Sequence, residues 1–143
     1  MRYFKVILIL LLLIPSKAFA LIEVDITRGN LNPLPIAVSP LSLDANSKTE
    51  FKKILNKDDI GSEISKVVEN NLRASGLFNP LDKDAFLQKP DIAHFKPRFE
   101  DWSLIKAQAL ITGKVIFQDE KLRVEFRLWD VLAGKEMMAL AFT

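Results

Sequence analysis

Ile60, Ile64, Val67, Val68 and Leu72 are spaced by four, three, one and four residues, which puts five aliphatic side chains on one stripe of an α-helix. Such a stripe has to be covered. Burying each side chain is worth roughly 1.5–3 kcal/mol before entropy is charged against it, so the helix needs an apolar surface to lie on. Asn56, Asp58 and Asp59 stand ahead of the stripe as candidate caps and as negative charge at the helix's positive end. Glu69 and Arg73, one turn apart on the polar side, form an expected ion pair. Gly76, after Ser75, supplies a left-handed stop.

The covering surface is legible further along. Ile111, Gly113, Val115 and Phe117 alternate with Thr112, Lys114 and Gln118, and a turn follows at 118–121. Leu122, Val124, Phe126 and Leu128 then alternate with Arg123, Glu125, Arg127 and Trp129. A second turn at Ala133 and Gly134 leads into Met137–Phe142. This is a β-meander with one apolar face, and the helix is its natural cover. Pro35–Ser39 is a further short run, apolar on both faces as a buried strand requires, and closed by Pro40. The fold class is therefore α+β: a small mixed β-sheet with helices packed on one face.

The segments between are less regular. Residues 41–57 are polar and rich in lysine, and read as a solvated connection with one helical turn around Phe51 and Leu55. Leu77–Glu100 is punctuated by Pro80, Pro90 and Pro97, with short helices expected at Asp82–Leu87 and Asp101–Ala107. Trp102 and Ile105 are expected in the core. The apolar strand Met137–Phe142 runs to Thr143 with no closing polar turn, an edge that natural proteins usually cover, so the domain is expected to continue beyond it.

The amino terminus is of another kind. Arg2 and Lys5 precede nine consecutive Val, Ile or Leu residues, Val6–Ile14, and Pro15 ends the run. About 20 apolar residues are needed to cross a bilayer, so no stable membrane insertion is expected. Ala18 and Ala20 flank Phe19 in the small-x-small pattern that signal peptidase requires, which predicts residues 1–20 as a signal peptide cleaved before Leu21. With no cysteine at the junction, lipid attachment is excluded. The absence of cysteine also means that stability rests on packing rather than disulfides.

Cleavage reverses the charge balance. The whole chain carries 20 basic and 18 acidic residues. Arg2, Lys5 and Lys17 leave with the signal, so 17 basic and 18 acidic residues remain, a net charge of −1. No basic run with interleaved aromatics exists, and no nucleic-acid partner is expected. The remaining 123 residues suit one domain with a modest core.

Catalysis has little to stand on. The single histidine, His94, lies in a proline-bounded loop, and no H-x-x-E or E-x-x-H spacing accompanies it. There is no thiol, no G-x-S-x-G elbow and no clustered glycine to cradle phosphate. No catalytic, cofactor-binding or metal-binding residue is predicted. Asp82 and Asp84 are the carboxylates that a small hydrolase of this length would use, which keeps that class open as an alternative. Arg123, Glu125 and Arg127 share one strand face as a solvated ladder, with Trp129 on the same face as a candidate contact residue.

Leu21–Thr27 opens the mature chain. Ile22, Val24 and Ile26 alternate with Glu23, Asp25 and Thr27, so an extended conformation has one apolar and one acidic side. Two readings stand on the residues alone: a buried first strand, or a free strand that adds to another protein's sheet edge.

Four stretches then resemble a known family in order: ITRGNLNPLPIAVSPL (Ile26–Leu41), DIGSEISKVVENNLRASGLFNPLDKDAF (Asp59–Phe86), FEDWSLIKAQALITGKV (Phe99–Val115) and VEFRLWDVLAGK (Val124–Lys135). They resemble the amino-terminal domain of the TolB family over nearly all of residues 21–143. The departures are Leu41, where the family often has an aromatic, and the long Lys-rich 44–57 connection. The resemblance implies a periplasmic α/β domain, followed in the family by a β-propeller, acting in the Tol–Pal system in envelope integrity and outer-membrane constriction during cell division. It implies an interaction domain rather than an enzyme. It places binding to the periplasmic domain of TolA on the segment Leu21, Ile22, Glu23, Val24, Asp25, Ile26 and Thr27, and binding to Pal on the propeller. A cell-wall-synthase regulator of similar α/β fold is the other alternative.

Overall fold

A computed structural model describes residues 32–56, 59–91, 96–118 and 121–143. The expected signal segment, the Leu21–Thr27 strand, Asp58 and His94 lie outside them.

The described residues form one mixed sheet. Strands β1 (Leu34–Val38), β2 (Ser42–Leu43), β3 (Phe78–Pro80), β4 (Ala109–Gln118), β5 (Lys121–Asp130) and β6 (Lys135–Phe142) are joined by helices α1 (Ala45–Leu55), α2 (Ile60–Ala74) and α3 (Phe99–Leu104). The sheet order is β3-β1-β4-β5-β6, with β2 also paired to β4. β1 runs parallel to β3 and β4, and β4, β5 and β6 are antiparallel neighbours. The α+β class and the meander are as the sequence predicts.

β1 is a buried strand because it has neighbours on both edges. Ile36, Ala37 and Val38 are fully buried. Leu34 donates to Leu77 O, Leu81 donates to Ile36 O, and Ser39 donates to Ile111 O, each at 2.9 Å. Pro40 then breaks the strand, and β2 resumes pairing three residues further along β4.

The sheet carries a core on each face. On one face, Leu41, Leu43, Phe51 and Val115 cluster with Ile60, Ile64, Phe117, Val124 and Phe126, so α1 and α2 cover this side. On the other, Ala37, Leu110 and Trp129 pack with Trp102, Ala107 and Val131, and Phe99 joins them. The two long helices therefore share one face, and the six-residue α3 closes the opposite side. Gln88 ties that second core together: its side chain accepts from Trp102 Nε1 at 3.1 Å and from Arg98 N at 2.9 Å, and donates to Lys96 O at 3.1 Å.

Several local expectations are corrected. Residues 41–57 hold a strand and a three-turn helix rather than a solvated connection: Asp44 caps α1 by accepting from Ser47 N, and Phe51 anchors it to the sheet. The irregular stretch after α2 contains β3, and its first short helix is the 3-10 turn Lys83–Ala85. The cap of α2 is Asp59, accepting from Ser62 N at 3.0 Å. Gly76 has φ +71°, the left-handed stop predicted. Glu69 pairs with Lys83 at 3.1 Å instead of with Arg73, because α2 lies beside the turn after β3. Within the predicted stripe Val67 is 59% exposed, and the side of α2 pressed hardest on the strands is Gly61 and Ser65. Trp129 is buried rather than a surface contact: its indole donates to Thr112 Oγ1 at 2.8 Å and its ring tilts against Phe99.

Candidate functional site

The residues assigned to export and partner binding, Ala18, Ala20 and Leu21–Thr27, lie outside the described residues. Asn32 and Pro33 lead from that part of the sequence into β1, whose parallel neighbours on both edges give the chain a fixed point.

Of the two carboxylates of the hydrolase alternative, Asp82 has structural work. Asp82 accepts from the Asp84 amide at 3.0 Å and so caps the 3-10 turn. Beside it, Lys66, Glu69, Arg73 and Lys83 line an open groove in which Glu69 is already paired with Lys83. Among the described residues no cluster of three or more His, Asp or Glu side chains is placed to hold a metal ion.

The polar ladder of β5 is an ion-paired surface, as its sequence suggests. Arg123 Nε meets Glu125 Oε1 at 2.8 Å, and Arg127 Nη1 meets Glu136 Oε2 of β6 at 2.9 Å. On the other side of these strands, Val68, Ile111, Phe126, Leu128, Met138 and Leu140 line an apolar groove of about 270 Å³. The six-residue apolar run at Met137–Phe142 was the sequence signal for it. No described helix is long and apolar enough to cross a membrane.

The arrangement thus offers binding surfaces: a strand edge, an apolar groove and a charged ladder on two sides of one sheet. Residues 22–137 match the model of the TolB amino-terminal domain. The chain belongs to that family. It is 79% identical over 139 residues to the Tol-Pal system protein TolB of Pelagibacter ubique, an alignment that covers 97% of this chain and 31% of the relative. The chain thus spans about a third of that TolB's length. The match begins at Ile22, so it takes in Ile22–Thr27 of the segment assigned to partner binding and leaves Leu21 outside.

Solved structures share the fold. TolB from Acinetobacter baumannii superposes with a TM-score of 0.55 at 18% identity, over 78% of this chain and 23% of that one. The LpoB C-terminal domain from Salmonella enterica gives 0.52 at 11% identity, over 80% of this chain and 84% of that one. At these identities the likeness is one of fold, so the family assignment rests on the sequence match.

Proposed function

We propose that this chain is a non-catalytic interaction domain of the periplasmic Tol–Pal machinery. In this reading residues 1–20 export it, and Leu21–Thr27 binds the periplasmic domain of TolA by adding as a strand to that protein's sheet. Its role is to support envelope integrity and outer-membrane constriction in cell division, with contact to Pal made by a propeller where the longer relatives carry one. The observation that carries the reading is the 79% identity to a Tol-Pal system protein TolB, over an alignment spanning 97% of the chain.

We read the segment as a free strand rather than a buried one because, among the described residues, β1 has β3 and β4 on its edges and each face of the sheet carries its own cluster. Ile22, Val24 and Ile26 would enter apolar pockets of the partner, and Glu23 and Asp25 would act as rim charges on association rate and salt dependence. Titration of the mature chain with the TolA periplasmic domain, with and without residues 21–32, tests this. Val24→Asp should weaken binding and leave the melting temperature unchanged. A lowered melting temperature with binding intact would return the segment to the core.

A further inference from the structure

We propose that the outer edge of β6 accepts an extended peptide in which apolar residues alternate with acidic ones. β6 pairs with β5 on its inner side only; no described residue pairs with its outer side, and all eight of its residues are exposed. Natural edge strands are guarded by proline, by charges or by a covering element. Met137–Phe142 contains neither proline nor charge. The outward amides and carbonyls of such a strand are a template for one more strand.

The two sides of β6 specify what that strand must carry. Met138 and Leu140 border the apolar groove with Val68, Phe126 and Leu128. On the reverse side Ala139 and Ala141 are short, and they leave a trough of about 300 Å³ lined by Arg123, Glu125 and Arg127. Each of these arginines spends one nitrogen on its ion pair, and their side chains are 48% and 39% exposed. A guanidinium has five donors, so both can take a further carboxylate. A peptide laid on the edge sends successive side chains to opposite faces. Apolar residues then meet Met138 and Leu140, and acidic residues pass over the two alanines to the arginines.

The test titrates the full-length protein with the acetylated and amidated peptide Val-Glu-Val-Thr-Val-Asp-Val-Thr. Controls carry Lys at the two acidic positions or N-methyl groups on alternate residues. Saturable binding is expected, with protection of alternate β6 amides from hydrogen exchange. The Lys peptide and the Arg123→Gln, Arg127→Gln double variant should each bind about tenfold more weakly, as two exposed ion pairs allow. The N-methylated peptide, which cannot complete the ladder, should not bind. Equal binding of the acidic and Lys peptides, binding of the N-methylated peptide, or no saturable binding at all would overturn the proposal. So would self-association of the protein through β6, which would assign the edge to a second copy.

Discussion

Ser65 holds Leu41. The Ser65 hydroxyl accepts the Leu41 amide at 3.1 Å, and its own hydrogen lies between the carbonyls of Ser39 and Gly61, at 3.0 and 2.9 Å. Pro40 takes the chain off β4 at this point, so the Leu41 amide would otherwise be a buried donor without a strand partner. Leu41 N also lies 3.3 Å from Gly61 O, which brings the helix backbone against the strand backbone. That approach requires glycine: a Cβ at Gly61 would collide with Leu41 O.

Gly61→Ala is therefore expected to destabilise the domain by about 1–3 kcal/mol, the usual cost of overfilling a packed site. Helix propensity alone would favour alanine by about 1 kcal/mol, so the sign of the change separates the two effects. Urea unfolding measures it. A more stable Gly61→Ala protein would show that α2 does not press on Leu41.

The cap of α1 gives a pH dependence. Asp44 is held below its ordinary value of 3.8 mainly by the Ser47 amide, then by the Ser47 hydroxyl and the nearby charge of Lys114. A carboxyl lowered in the folded state stabilises fully above its unfolded value, and the contribution fades as pH falls through the folded one. Asp44→Asn keeps an amide-accepting cap without the charge. The wild-type chain should be the more stable at pH 7, and the difference should begin to shrink near pH 3.8, where the unfolded carboxyl protonates, and go on shrinking as pH falls toward the lower folded value. Thermal melts of both proteins from pH 7 to pH 3 check this; a difference that stays constant would mean that the charge contributes nothing.

Gln88 is the polar keystone of the second core. Gln88→Leu keeps its approximate size but strands Trp102 Nε1, Arg98 N and Lys96 O. A buried group left unpaired costs about 1–3 kcal/mol; Trp102 Nε1 is buried and the other two groups are part-buried within reach of water, so a loss within that range is expected. The near-ultraviolet dichroism of Trp102 should weaken in parallel. An unchanged unfolding midpoint would mean that the Gln88 bonds are dispensable.

What could be read from the sequence follows physical signal strength. α2 and the meander announce themselves because each repeats its apolar period over many residues. α1 does not: its hold on the sheet comes from one ring, Phe51, one cap, Asp44, and the Ser47 hydroxyl that accepts from Phe117 N at 2.9 Å. A lysine-rich segment with a single anchor has almost no periodicity to detect. β3 is three residues ending in Pro80, and its reason for being a strand is its parallel partner β1, more than forty residues away in the chain. Trp129 looked solvent-facing because Arg123, Glu125 and Arg127 share its side of β5. Only at its end does α3 arrive to bury it. Of the candidate site, the alternation in Leu21–Thr27 was legible, and so was the uncovered run in β6. The pairing of an apolar groove with an arginine trough on opposite sides of β6 needed the register of β5 against β6.

The most direct test of the account is a calorimetric titration of the TolA periplasmic domain into two proteins, residues 21–143 and residues 33–143. The described core begins at β1, so both should fold with the same melting temperature. The longer protein should bind TolA saturably and the shorter one should show no heat of binding. Undiminished TolA binding by residues 33–143 would contradict the assignment of the site to Leu21–Thr27, and so would a shortened protein that fails to fold.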